Sequence, residues 1–136
     1  MFKRKVNGVQ AVANMRKLEG KSGFKGWCHK TCQNAWKLPV KYNSAIDAWN
    51  HVPAPAKHTD MTNIPVGAPI FFKIGNFGHV VLQSDKKGYV ISTDAPKEDF
   101  IGEVPLEWFE KHWGVKPLGW ASVYNDTKLQ LGVLPK

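Results

Sequence analysis

A cysteine at a predicted helix start and a histidine at a predicted strand start could together perform acyl transfer. Cys28 follows Gly26 and Trp27 at the predicted first turn of a helix. The unpaired N–H groups and the positive dipole end of a helix N-terminus favour a thiolate, which is the nucleophilic form of cysteine. Cys32 lies one turn later, too deep in the helix to gain from the dipole. We therefore predict Cys28 as the nucleophile, and Cys32 remains the alternative.

A thiolate nucleophile needs an imidazole to exchange protons with, and a third group that orients the ring. His79 opens a predicted strand directly after a glycine-rich turn at 75–78, and Asp94 ends the next predicted strand. The start of one strand lies beside the end of the next in an antiparallel hairpin. We predict His79 as general base and acid and Asp94 as its orienting group, and Ser92 is a further candidate for that third role.

The remaining histidines do not begin a predicted strand, so they are weaker candidates for the base. We expect these four in loops or on the surface: His29, His51, His58 and His112. Cysteine and histidine could also bind zinc, but a structural zinc site usually has a second pair of ligands at short spacing, and this sequence has none. We predict no metal and no cofactor.

The periodicity of apolar residues changes along the chain from helical to strand-like. Helices are predicted at 8–19, about 28–37, 45–50 and 105–113. Strands are predicted at 70–74, 79–83, 88–93 and 118–124, and a loop at 52–68. This order predicts an α+β fold in which N-terminal helices pack on an antiparallel sheet. We expect one domain, 1–136, with a core at about 8–124 and a polar C-terminal tail at 125–136.

The composition limits the classes of partner. Lysine and arginine exceed aspartate and glutamate by 19 to 11, a formal charge of +8, so anionic wall polymers or nucleic acid are electrostatically compatible partners. No helix-turn-helix, RNP-like motif or basic helix supports a nucleic-acid-binding module, which we keep as an alternative. No apolar run is long enough to span a membrane. The first residues lack the apolar core of a secretory signal, so we expect no signal peptide.

The sequence has Gly26-Trp27-Cys28 at a predicted helix start, Gly78-His79-Val80-Val81 opening a predicted strand, and Ser92-Thr93-Asp94 ending the next. In this order, the three segments resemble CHAP-type and NlpC-type cell-wall hydrolases. These are papain-like cysteine peptidases and amidases, and many are phage-encoded endolysins. The resemblance covers roughly residues 20–124. The late Trp113-Gly114 and Leu118-Gly119-Trp120 also belong to it.

The resemblance implies a papain-like fold and a metal-independent attack of Cys28 on an amide of bacterial peptidoglycan. The backbone N–H of Cys28 would help to hold the oxyanion. We predict Trp27, Asn76 and Ser92 as substrate-binding residues. The protein would be made in a host cytoplasm and act on the wall, or travel in a virion. The bond that is cut stays open, and a catalytically inactive peptidoglycan-binding relative is a further alternative.

Overall fold

The computed structural model describes residues 6–132, which fold around four α-helices and eight strands. The helices are Gly8–Arg16 (α1), Cys28–Ala35 (α2), Ala45–Asn50 (α3) and Trp108–Trp113 (α4), with a 3-10 turn at Ala54–Ala56. The strands are Lys57–His58 (β1), Pro69–Phe72 (β2), His79–Gln83 (β3), Tyr89–Thr93 (β4), Ile101–Pro105 (β5), Pro117–Ala121 (β6), Val123–Tyr124 (β7) and Thr127–Lys128 (β8).

Six of the strands form one antiparallel sheet in the order β1-β6-β2-β3-β4-β5. The central hairpin joins β2 to β3 and aligns Ile70 with Val81. The next hairpin aligns Leu82 of β3 with Ile91 of β4. The prediction of an α+β fold with an antiparallel sheet is confirmed.

Helices cover both faces of the sheet, because side chains of successive strand residues point to opposite sides. On one face, Val80 and Leu82 pack in a core with residues of α1, α2 and α3. On the other face, Val81 and Val90 pack in a second core with Phe109 of α4. Strand β3 is buried along its whole length, so it separates two apolar cores that lie under different helices.

Some predicted boundaries are wrong. The strand Ile101–Pro105 was missed, and α4 begins at Trp108 where a helix from 105 was expected. The missed strand pairs with β4 and buries only Ile101 and Val104, so its sequence lacks a clear alternation. Its pairing to β4 holds it in the sheet despite this weak local signal. The expected loop 52–68 contains β1, and the strand expected at 118–124 is divided between β6 and β7.

The segment 125–132, expected as a polar tail, packs against the domain. Asn125 and Asp126 both have positive φ and form the two-residue turn between β7 and β8, the backbone that such hairpins favour. Leu129 is buried in the first core. The amide of Gly8 donates to the carbonyl of Gln130 at 2.7 Å. Residues near both ends of the described chain are therefore neighbours.

Within residues 6–132, no helix combines the length and apolar character needed to cross a membrane.

Candidate active site

A cleft of about 1030 Å³ opens between the start of α2 and the turn that joins β2 to β3. Five of the six predicted site residues line it: Trp27, Cys28, Asn76, His79 and Asp94. Ser92, the sixth, is buried behind the wall of the cleft and contacts it through His79. Residues that are far apart in sequence thus meet around one concave surface, as ligand sites require.

Cys28 is the first residue of α2. The residue before the helix, Trp27, provides no side-chain cap, so the first N–H groups of α2 receive no capping oxygen from that side chain. Cys28 is only 8% exposed. Burial raises the pKa of its thiol, and the charge of Asp94 adds to this, while backbone hydrogen bonds from Val80 and His29 oppose it. Burial outweighs the backbone N–H groups, so this conformation keeps the thiol protonated.

Cys32 lies outside the cleft lining and is fully buried in the first core. Its Sγ donates to the carbonyl of Val80 at 3.6 Å. Burial raises the pKa of this thiol well above its ordinary value, and the neighbouring Cys28 raises it further. Of the two cysteines, Cys28 therefore has the access that a nucleophile needs.

His79 begins β3 after Gly78, whose φ is +71°. A side chain at Gly78 would come within 3.0 Å of Ile46, so glycine lets the turn lie against α3. The ring of His79 packs among aromatic rings, with Phe109 and Trp113 at centroid distances of 5.6 and 5.0 Å. This burial lowers the pKa of His79 to about 3.

The hydrogen bonds of Ser92 define the tautomer of His79. The hydroxyl of Ser92 donates its proton to the carbonyl of Thr93 at 2.7 Å. Its oxygen lies 2.8 Å from Nε2 of His79 and must therefore accept a hydrogen bond from Nε2–H. Nδ1 then carries the lone pair, and it has no hydrogen-bond partner among residues 6–132. His79 thus has an anchored donor and a free basic nitrogen.

Asp94 does not orient His79, which corrects the role predicted for it. The chain leaves β4 at Thr93, and Asp94 has a φ of +60° in the turn that follows. Its carboxylate accepts hydrogen bonds from the amides of Gly26 at 3.1 Å and Asp99 at 2.6 Å. The orienting position that we predicted for Asp94 is occupied by Ser92.

Two carboxylates hold the loop that leads into Cys28. Asp99 accepts from the amides of Gly23 and Lys25, both at 3.1 Å, and its carbonyl accepts from Phe24 at 3.0 Å. Together with the bond from Gly26 to Asp94, all four amides of residues 23–26 are bound. We call this arrangement the carboxylate clamp. Asp99 was not predicted as a site residue, since nothing in the local sequence pattern marks it.

Cys28 and His79 reach the cleft from opposite faces of the sheet. Cys28 packs in the core under α2, while the ring of His79 packs with Phe72 and Phe109 on the face covered by α4. In the described part of the chain, no hydrogen bond joins Cys28 Sγ to His79. Burial raises one pKa and lowers the other, so both side chains are neutral at pH 7.

His29 is buried, which contradicts its predicted place on the surface or in a loop. Its Nε2–H donates to the carbonyl of Lys41 at 2.8 Å, and its Nδ1 accepts from the hydroxyl of Tyr124 at 2.7 Å. One turn later, Oε1 of Gln33 accepts from the amide of Lys41 and from the side chain of Asn125. These two polar residues of α2 connect it to the 37–44 segment and to the β7–β8 turn.

Residues 6–132 contain no group of three or more His, Cys, Asp or Glu side chains arranged to hold a metal ion. Models of known protein families, curated proteins and solved structures provide no match to this chain.

Proposed function

We propose that the protein is a cysteine-dependent hydrolase of the papain-like type that cuts an amide bond in bacterial cell-wall peptides. One observation carries this proposal. Cys28 at a helix N-terminus and His79 at a strand start line the same cleft, and Ser92 anchors Nε2 of His79 so that Nδ1 is the basic nitrogen. A thiol, a base and an orienter are the groups that acyl transfer requires.

The reaction begins when Nδ1 of His79 takes the proton of the Cys28 thiol and the thiolate attacks the amide carbonyl. The oxyanion is stabilised by the backbone N–H of Cys28. The tetrahedral intermediate collapses as the protonated Nδ1 gives its proton to the leaving amine, and a thioester remains on Cys28. A water molecule then loses a proton to Nδ1 and attacks the thioester. Release of the acid returns the proton to Cys28.

Substrate binding has to bring the two groups together, since they share no hydrogen bond in the unliganded cleft. Catalytic hydrogen bonds are often long in unliganded enzymes and shorten when the substrate binds. The neutral state of both groups agrees with this order of events, because proton transfer would then occur after substrate covers the cleft.

The test compares Cys28→Ala with Cys32→Ala on purified peptidoglycan. Loss of solubilised fragments by at least about 10³-fold is expected for Cys28→Ala, because the nucleophile is essential to both steps. Cys32→Ala should retain activity, since Cys32 does not reach the cleft. Mass spectrometry of the released fragments identifies the bond that is cut. Full activity in Cys28→Ala, or none in the wild-type protein, would contradict the proposal.

The separation of Cys28 and His79 favours a second candidate, a non-catalytic module that binds peptidoglycan in the same cleft. This protein would co-sediment with insoluble peptidoglycan and release no fragments. Peptidoglycan would then stay intact both with the untreated protein and with protein whose Cys28 has been alkylated by iodoacetamide. A hydrolase would lose fragment release on alkylation.

A further inference from the structure

The cleft gathers apolar side chains that are unusually exposed. Four large apolar residues are strongly exposed in residues 6–132, and three of them, Trp27, Val40 and Phe77, line the cleft. Phe77 is 73% exposed and Trp27 is 49% exposed. Large apolar groups clustered around a concave surface are typical of a binding site.

Trp27 and Phe77 stand on the two walls of the cleft, where different contacts hold the Trp27 ring and the Phe77 backbone. Trp27 packs edge-on to Phe24 at a centroid distance of 6.5 Å, and Nζ of Lys30 lies 4.5 Å from the centre of its ring. On the other wall, the carbonyl of Phe77 accepts from the amide of Ile46 at 2.9 Å. The Trp27 ring is therefore preorganised, which reduces the entropy cost of binding, and the backbone that carries Phe77 is bound to the start of α3.

The polar lining of the cleft includes exposed side-chain amides. Asn34, Asn43 and Asn76 are exposed there. In the described structure their side-chain amides make no hydrogen bond. Each one keeps donors and an acceptor for a ligand.

The cleft has little net charge despite the charge of +8 on the whole chain. Lys25 is paired with Glu98 at 2.7 Å, and the Asp94 carboxylate is bound by the amides of Gly26 and Asp99. Lys30 has no acidic partner within residues 6–132. This arrangement suits a polar ligand whose only charge is one carboxylate and gives no advantage to a polyanion such as nucleic acid.

We infer that the cleft holds an N-acetylated hexosamine next to the scissile amide, which makes the sugar–peptide junction of peptidoglycan the substrate. The inference rests on the proposed hydrolase function. The apolar face of the sugar packs against Trp27 and Phe77, and its acetamido and hydroxyl groups bond to the asparagine amides. Lys30 binds a carboxylate of the attached peptide. The amide that joins the sugar's lactyl group to the peptide then lies over Cys28.

The test measures binding to the Cys28→Ser variant, so that no probe is consumed. The probes are N-acetylmuramoyl-L-alanyl-D-isoglutamine and the sugar-free dipeptide L-alanyl-D-isoglutamine, titrated by calorimetry. The muramoyl probe should bind at least about tenfold more tightly than the dipeptide. Trp27→Leu and Phe77→Leu should each remove most of this difference, because leucine keeps the apolar volume and loses the flat ring.

Val9→Ala is the matched control, since Val9 is 53% exposed and lies outside the cleft. It should bind both probes as well as its parent. Equal affinity for the two probes, no binding of either, or unchanged affinity in both leucine variants would overturn the inference. If the muramoyl probe binds as expected while the wild-type protein releases no fragments from peptidoglycan, the hydrolase proposal fails and the sugar site stands.

Discussion

The two walls of the cleft are held by different forces. On the Cys28 side, the carboxylate clamp binds four consecutive amides before α2, and His29 and Gln33 connect the helix to distant segments. On the His79 side, the ring is held by one hydrogen bond to Ser92 and by apolar contacts with aromatic rings. A polar network thus holds Cys28, while burial holds the ring of His79.

This difference indicates which element is free to adjust. Moving the loop before Cys28 would break several hydrogen bonds together, whereas moving the His79 ring would break only its hydrogen bond to Ser92. A net contribution of about 1 kcal/mol is typical of a single hydrogen bond. We therefore expect the His79 ring to move when the two groups come together, and the Cys28 side of the cleft to keep its geometry.

The largest expected effect comes from removing the imidazole of His79, the proposed base. His79→Ala should lower kcat on peptidoglycan by about 10²- to 10⁴-fold, the range usually contributed by general acid–base catalysis. The control is His112→Ala, which removes an exposed ring stacked on Trp108 and should leave kcat unchanged. Steady-state rates of fragment release measure both, with circular dichroism to check the fold. Equal rates in the two variants would mean that His79 is not the base.

A smaller effect is expected at the carboxylate clamp. Asp99→Asn keeps a side chain that tolerates the positive φ of this position. It replaces one carboxylate oxygen, which accepts a hydrogen bond, with an NH2 group that donates. It should lower the free energy of unfolding by about 1–2 kcal/mol and reduce kcat by about tenfold, because the loop positions Cys28. The measurements are urea unfolding and initial rates.

The control for Asp99→Asn is Asp60→Ala, because one carboxylate oxygen of Asp60 accepts two hydrogen bonds from Thr62 at an exposed turn away from the cleft, and alanine removes this acceptor. It should lose stability without losing kcat. If both variants lose activity in proportion to stability, the clamp only stabilises the fold and does not position Cys28.

A further effect concerns stability alone, through its pH dependence on the His79 side. Burial lowers the pKa of His79 to about 3 from 6.5, so the unfolded chain binds a proton at this residue below about pH 6.5 and the folded chain does not. Stability therefore falls as the pH drops, by about 1.4 kcal/mol for each pH unit between about 6 and 4. Urea unfolding of His79→Gln should show a shallower slope by this amount, and an identical slope would contradict the burial of a neutral ring.

The sequence was sufficient to predict the residues whose chemistry depends on a local element. Cys28 follows a glycine-containing loop at a helix start, and His79 follows a turn at a strand start, and both signals are confined to a few neighbouring residues. The structure places both at the cleft. Their catalytic roles stay predictions, since position alone does not test them.

The partners of these residues were harder to predict, because they depend on where the strands end. Extending the β3–β4 register would place Asp94 opposite His79, yet β4 ends at Thr93 and Asp94 turns toward Gly26. Ser92 contacts His79, 13 residues earlier in the sequence, and Asp99 contacts the loop before Cys28, about 75 residues earlier. No periodicity in the sequence reports such contacts, and the short alternation of β5 was too weak to detect.

The pairing of residues near both ends of the described chain has a practical consequence. Gly8 bonds to Gln130, and Gly132 exchanges two backbone hydrogen bonds with Val66, while every residue that lines the cleft lies between 25 and 113. A short linker between these ends would permit circular permutation, with new termini opened at the exposed turn 85–88. Affinity tags or domains fused outside residues 6–132 would leave the residues that line the cleft, 25–113, unchanged in sequence.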